Sequence, residues 1–545
     1  VTTVDEAWRQ LTVRAREPVL EQLRRAARGE PVVPALYRWD KGMDPAAPAA
    51  LPFLIALVRE PDRPNREELL SALARLVGVG RQEAAERHAH GWAAAWREHR
   101  TAVEPLLDDP EPEVRRTALY LTERAAPLLA RIPEESEPWF RAKQLIRLGE
   151  VADPADDAAR ALLTDTLHGA DGPDAAAHRL AALWGLAALD AAEPERWADQ
   201  WVAAVLDPAA PAVVERLWTE PDDDHPATLG REIIWTGRSL PLRLAAHLTV
   251  RLARAAAEAG RHELCEVALD AGWRPLLALP SVGPLWPATA GALLSSPAPE
   301  VRHRAAAALA VLGRAAVPYA DALHALLDDT DSDECLDGST ADQARWALAR
   351  IGDPRVLPDL VRRLTAVERE NGRGFVRGDP RRPEPYDALL PLHEHAAVLR
   401  PQVARWAREG ESHAWPDHHP GVRLLAAWDA PADDAKPPPP PDPEAAARGL
   451  LRIPPVRRSH EDPAPYLLGT RAVAALSWRG PLSAGARAAV EHALSLDRRL
   501  SWLSDYRAVL DDERLREVLR RALRGEAVTV PPLSHLEEVD FEVGH

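Results

Sequence analysis

Apolar residues recur at helical spacing along most of the chain. Val301, Ala305, Ala308, Leu309 and Leu312 fall at i, i+4, i+7, i+8 and i+11, a single stripe on a 3.6-residue helix. Gly313 follows, and a glycine placed there stops a helix. The stripe returns over Thr340–Ile351 and is stopped by Gly352. Gly313 and Gly352 are 39 residues apart, as are Leu309 and Leu348. Pro318–Leu327 reads as the return helix between the two stripes. Asp353-Pro354 then reads as an N-cap and first helical residue. Two helices per repeat of about 40 residues predict a helical-repeat array.

The same spacing predicts further helices. Residues 5–30 form one or two, followed by a loop from Pro31 to Pro48. Residues 51–58 pair with 66–77, closed by Gly78 and Gly80. Residues 91–107 pair with 112–125, 155–167 with 173–189, and 197–206 with 211–218. An acidic loop around Asp222-Asp223-Asp224 breaks the rhythm over 219–240, and helices resume at 241–259 and 262–269. Residues 386–408 form one or two helices, paired with 421–428. Beyond Pro437–Pro441, an extended polyproline spacer, helices are predicted at 444–451, 470–478, 481–494, 498–510 and 512–524.

Two segments repeat one phrase. Asp109-Pro110 with Val114-Arg115 and Ala118 has its counterpart in Pro297 with Val301-Arg302 and Ala305. Each ends one apolar helix, turns at proline and starts another at Val-Arg. This phrase resembles the HEAT repeat, and the chain resembles HEAT-like proteins of high-GC bacteria. The second copy departs from the pattern in having Ser295-Ser296 where Asp is usual, and the Asp353 unit has Arg355-Val356 in place of Val-Arg. The resemblance implies an all-α solenoid of antiparallel helix pairs, curved into a superhelix. It also implies that Arg115 and Arg302 form a ladder with acids of neighbouring repeats, Asp109 or a neighbour accepting from Arg115. The expected division is a repeat array over 1–365, a basic loop and helical hairpin over 366–430, a polyproline linker over 431–443, a helical segment over 444–525 and an acidic tail over 526–545.

Composition narrows the class. Of 545 residues, 46% are hydrophobic but only 5% aromatic, so the interior is built from Ala, Leu and Val. Small faces of this kind let helices approach closely. The formal net charge is −17, which disfavours nucleic acid, whose phosphates need Lys or Arg in place of counterions. A protein partner with a basic patch is easier to accommodate. Cys265 reads as a core thiol and Cys335 as a thiol in an acidic loop; neither has metal-ligand or disulfide spacing. No apolar run reaches a membrane span and the N-terminus has no signal-peptide pattern, so a cytoplasmic location is expected.

Candidate chemistry is sparse. His393 and His395 are two apart, which on a helix points them about 200° from each other. His88 and His90 share that defect, and His413, Asp417, His418 and His419 lie in a loop. No metal site and no cofactor are expected. Asn371-Gly372-Arg373-Gly374 follows a helix rather than a strand, so it is not a nucleotide cradle. The pairs Asp108/Asp109, Asp328/Asp329 and Asp511/Asp512 read as helix-end acids rather than catalysts.

Tryptophan is over-used, 18 against 4 Phe. Trp92 and Trp96, and Trp197 and Trp201, are i, i+4 neighbours. With Trp139 and Trp184 they either fill gaps between Ala-rich helices or form a surface stripe of binding anchors. Arg373, Arg377, Arg381 and Arg382 form a basic loop that offers a second candidate surface. The preferred reading is a non-enzymatic scaffold presenting a concave helical surface to a protein, in a regulatory, assembly or immunity role. The alternative is a HEAT-like DNA-binding protein or DNA glycosylase, which needs a basic groove holding Trp beside a carboxylate.

Overall fold

The computed structural model describes residues 17–30, 36–38, 42–80, 91–170, 174–190, 192, 195–218, 228–330, 338–370, 380–409, 419–429, 482–500 and 505–526. The chain divides into two compact units, Val1–Ala227 and Thr228–His545. The polyproline spacer, the helices expected at 444–451 and 470–478 and the 527–545 tail lie outside the described residues.

The first unit contains α1 (Glu17–Ala27), α2 (Ala47–Val58), α3 (Arg66–Gly80), α4 (Trp92–His99), α5 (Pro112–Leu121), α6 (Ala125–Arg131), α7 (Pro138–Val151), α8 (Asp157–Gly169), α9 (Ala175–Leu189), α10 (Glu195–Leu206) and α11 (Ala210–Trp218). Within the expected 31–48 loop, Tyr37–Arg38 pairs antiparallel with Gly42–Met43, the one strand ladder among the described residues. Successive second helices lie side by side: α3 packs on α5, α5 on α7, and α7 on α9. The last contact is unusually close. A Cβ placed on Gly149 of α7 would overlap the Gly185 carbonyl of α9, and one on Gly185 would lie 2.6 Å from the Leu145 carbonyl oxygen. Two helices reach this distance only where both lack a side chain.

The helices α6 and α7 were missing from the sequence-based expectation. Residues 91–107, expected as one helix, are α4 plus a 3-10 stretch, Arg100–Asp108, because Pro105 cannot donate within a continuous α-helix. The helix expected at 112–125 ends at Leu121, where Thr122 turns extended.

The second unit contains α12 (Leu229–Ser239), α13 (Leu242–Glu258), α14 (His262–Ala278), α15 (Pro287–Leu293), α16 (Pro299–Leu312), α17 (Ala320–Ala325), α18 (Thr340–Arg350), α19 (Leu360–Glu370), α20 (Pro385–Leu389), α21 (Ala396–Glu409), α22 (Pro420–Asp429), α23 (Ala484–Ser495) and α24 (Tyr506–Leu523). α14, α16 and α18 stack side by side, and their Ala and Leu faces are buried. The stripe on α16 is buried at Val301, Ala305, Ala308 and Leu309. Gly313 and Gly352 both hold positive φ, 58° and 74°, which ends α16 and closes the turn after α18 as their spacing implied.

Several expectations here are corrected. The 219–240 break contains α12, an apolar helix beginning at Leu229. α14 runs on to Ala278, well past Leu269. The return helix after Gly313 is a 3-10 stretch, Gly313–Tyr319, continued by the short α17. Asp353 caps no helix: it accepts from the Arg355 backbone N–H at 2.9 Å and closes a turn, and helical backbone restarts only at Leu357. Residues 498–524 are not two helices broken before Asp512; α24 is continuous through Asp511 and Asp512. One stretch, Pro299–Ala325, is apolar and long enough to qualify as a membrane span by composition, contrary to expectation. It is broken by the 3-10 turn, and α16 is a core helix packed on both sides by α14 and α18.

Candidate functional site

Five of the six candidate tryptophans are buried. Trp92, Trp96, Trp184 and Trp201 are buried, and Trp197 is 9% exposed. Trp139 is half-buried and tilts against Phe140, ring centres 5.3 Å apart. Trp184 and Trp201 meet at 6.4 Å. These side chains fill space between Ala-rich helices, so the surface-stripe reading fails for all but Trp139. The helical spacing placed each pair on one face, but facing the core and facing solvent have the same period.

Around Trp197 a polar knot forms. Its indole N–H donates to Asp190 Oδ2 at 2.6 Å. Arg160 Nη1 also donates to Oδ2, at 2.8 Å, and Arg160 Nη2 lies 2.7 Å from Oδ1. Arg196 stands 3.3 Å away and over the Trp197 ring. Burial opposes the charge on Asp190, but the hydrogen bonds from Arg160 and Trp197 outweigh it and hold the carboxyl below the ordinary carboxylate range. This knot has the Trp, carboxylate and Arg of the glycosylase alternative. However, the indole offers no open face for a base and the carboxylate is saturated by donors.

A related knot lies between α14 and α16. Arg304 donates to both oxygens of Asp270, at 2.6 and 3.2 Å, and lies 3.0 Å from Glu266. Beside it is a small pocket, partly open to solvent, with Trp273, Trp286 and Pro380 among its walls. It has room for at most about one water molecule. Two acids to one Arg give it no basic character.

The two Val-Arg phrases do the same thing. Arg115 Nη1 donates to the carbonyls of Asp109 and Pro110, at 2.9 and 3.0 Å. Arg302 Nη1 donates to the carbonyls of Ser296 and Pro297, at 2.9 and 3.0 Å. Each Arg thus caps the turn that precedes its own helix. Its remaining nitrogens reach forward: Arg115 to Glu137 at 2.6 Å, Arg302 to Asp329 at 2.7 Å. Arg160 repeats the arrangement, from the Pro154 carbonyl at 2.8 Å to Asp190. The Asp109 carboxylate, expected as an acceptor for Arg115, instead takes both ends of Arg66, at 3.2 and 2.5 Å. Asp109 therefore joins two Arg residues, one through its side chain and one through its carbonyl.

Arg373 and Arg377 lie outside the described residues, as do Cys335, His88, His90, His413 and His418. Arg381 is exposed, and Arg382 lies 3.8 Å from Asp342. His393 and His395 sit in a 3-10 stretch, the first exposed. His419 is buried: its Nδ1 accepts from the Gly421 N–H at 3.1 Å and its ring stands edge-on to Trp406. Among the described residues no three His, Cys, Asp or Glu side chains converge as metal ligands.

Long-range contacts within the second unit leave no local signal in the sequence. The α23–α24 hairpin folds back on the stack, α24 packing against α14 and α16. Arg499 donates to the carbonyls of Leu276 and Leu277, and its N–H to that of Ala278. Asp497 accepts from Ser281 and Arg243, Glu513 from Arg350. Tyr506 Oη donates to Asp387 Oδ2 at 3.0 Å and accepts from the Glu384 N–H at 2.9 Å, with its ring edge-on to Trp346.

The described residues thus define an all-α protein of side-by-side helices with repeat-like packing. No protein-family model matches the chain, and no curated protein matches it significantly.

Proposed function

We propose that this protein is a HEAT-like helical scaffold that holds a protein partner and performs no chemistry of its own. The observation that carries this reading is how its polar side chains are used. Arg66, Arg115, Arg160 and Arg302 each bridge from one helix pair to an acid further along the chain. In both Trp–carboxylate knots the acid is bound by Arg. A protein whose buried charges serve to lock neighbouring helices offers shape and surface to its partners. The net charge of −17 favours a partner with a basic patch, and the buried thiol of Cys265 suits a reducing cytoplasm.

The full chain, immobilised and exposed to lysate of its own cells with and without nuclease, should retain a protein at near-stoichiometric amount in both arms. That protein should elute as salt rises, because an acidic surface holding a basic patch is screened. Saturable binding of a random DNA duplex at physiological salt, with protein recovery lost on nuclease treatment, would overturn the scaffold reading in favour of a DNA-directed one.

A further inference from the structure

The last helix, α24, has two buried faces. Tyr506, Val509, Leu510 and Glu513 fall at i, i+3, i+4 and i+7, along one side of it. The first three are buried. Leu515, Val518, Leu519 and Ala522 lie on the opposite side and are buried too. Leu515, Val518 and Leu519 join Val490 and Ala493 of α23, with Leu500, in a hydrophobic cluster of the hairpin's own. The Tyr506 side meets the stack instead. Tyr506 stands edge-on to Trp346 and donates to Asp387, and Glu513 accepts from Arg350 at 2.9 Å. One side of α24 therefore closes the hairpin and the other seats it.

The polar bonds divide in the same way. Within the hairpin, Arg516 donates to the carbonyls of Leu494, Leu496 and Arg498, and to Asp512, which also accepts from the Leu500 N–H. The bonds that seat it lie largely at the rim. Asp497 accepts from Ser281 Oγ at 2.6 Å, the Ser281 N–H at 3.1 Å and Arg243 at 2.8 Å. Asp497 and Glu513 are both partly exposed, so water replaces these bonds at small cost. The Tyr506–Asp387 bond is buried, and both groups regain water when α24 lifts.

The place the hairpin occupies is shaped for a neighbouring helix. Arg147 of α7 donates to the carbonyls of Tyr120 and Thr122 at the end of α5, and Arg350 of α18 to that of Ala310 near the end of α16. Each Arg comes from the next helix in the stack and supplies donors to carbonyls that a helix end leaves unused. α16 ends in Ala310-Val311-Leu312 and has no Arg there to serve α14. The hairpin provides one: Arg499 donates to the carbonyls of Leu276 and Leu277, and its N–H to that of Ala278.

We propose that the α23–α24 hairpin is an autoinhibitory clasp. It lifts off the stack as a folded hairpin. While seated it fills the surface, from the end of α14 to Trp346, on which a partner's helix docks. The helix that fits carries an apolar stripe for Trp346 and an Arg for the α14 carbonyls, which α24 and Arg499 supply in the closed state. This inference rests on the scaffold reading, and an Arg-bearing helix is one form of the basic partner expected there.

Site-resolved thiol labelling of the full chain, in a Cys335→Ala background, separates lifting from unfolding. Val509→Cys reports on the seated side of α24; Val518→Cys, or Val490→Cys on α23 if that variant does not fold, reports on the hairpin core. Position 509 should label at least about tenfold faster than the core positions. Asp497→Ala, which removes the rim acceptor, should speed labelling at 509 about tenfold and leave the core positions unchanged. A fluorescein-labelled peptide of residues 505–526 stands in for the partner helix. It should bind the full chain saturably, and about tenfold tighter in Asp497→Ala, because the apparent Kd falls as the fraction of open seats rises. Equal labelling at 509 and the core positions, or a peptide affinity unmoved by Asp497→Ala, would overturn the clasp. The scaffold reading would survive that result if the chain still retained a protein through nuclease treatment.

Discussion

Replacing Gly149 by Ala sets local preference against tertiary contact, and the two give opposite signs. Gly149 lies in the interior of α7, where glycine is about 0.8–1 kcal/mol worse than alanine. Helix propensity alone therefore predicts a more stable protein. The contact with α9 predicts the reverse, because a Cβ at 149 overlaps the Gly185 carbonyl group. Ordinary contact starts at 3.4 Å, so α7 and α9 would have to part by roughly 1.5 Å at the Gly185 carbonyl oxygen. A gap of about 0.5–1 Å already forfeits a quarter to a half of the dispersion energy between facing atoms, and this one is wider. The buried residues that lose it include Phe140, Leu145 and Leu148 on α7 and Ala181 and Leu186 on α9. Overpacking of this kind costs about 1–3 kcal/mol, and the backbone-to-backbone nature of the clash places it toward the upper end, near 3. Subtracting the propensity gain leaves a net loss of about 2 kcal/mol. Urea unfolding of the first unit, followed by exchange protection in α7 and α9 peptides, measures it. Gly169→Ala at the end of α8 is the control, since nothing lies within 4 Å of its Cβ position. It should be neutral or slightly stabilising. A Gly149→Ala protein as stable as wild type would refute the close-approach argument.

Three further outcomes follow from the same contacts. Asp190→Asn removes the charge that Arg160 and Arg196 share and should cost about 2 kcal/mol at pH 7, discounted because Arg160 is partly exposed. Since the Asp190 carboxyl is held low, its contribution is present above the unfolded value near 3.9 and lost as pH falls below it; the Asn variant should be less acid-sensitive in thermal melts, and an equal acid response would contradict the knot. Arg302→Lys should lower stability by about 1–2 kcal/mol, because an ammonium cannot clamp two carbonyls and reach Asp329 together; a Lys variant with the wild-type urea midpoint would show that the clamp adds nothing. Burial raises the Cys265 thiol to about 11, so in a Cys335→Ala background a thiol reagent at pH 8 should label it only as fast as the protein opens. Prompt labelling without denaturant would place that thiol at the surface.

Much of the architecture was legible residue by residue. The α16 and α18 stripes, their glycine stops and the Val-Arg turns follow from spacing and backbone preference, which act over a few residues. The identity of the elements was less so where proline or tertiary packing intervened, as in the 3-10 stretch 100–108 and the continuous α24. The candidate site was hardly legible. Periodicity put Trp92 with Trp96 and Trp197 with Trp201 on shared faces, yet it carries no sign to distinguish inward from outward. Asp511 and Asp512 read alike as helix-end acids. One accepts hydrogen bonds from Arg499 and Arg516, while the other stands 3.8 Å from Arg514 and its Oδ1 accepts no hydrogen bond among the described residues. The sequence by itself determined helices, their turns and the small residues that let them pack, because those depend on neighbours in the chain. Tertiary structure alone decided which charges are paired, which tryptophans are core and where the C-terminal hairpin rests, because burial and pairing depend on neighbours in space.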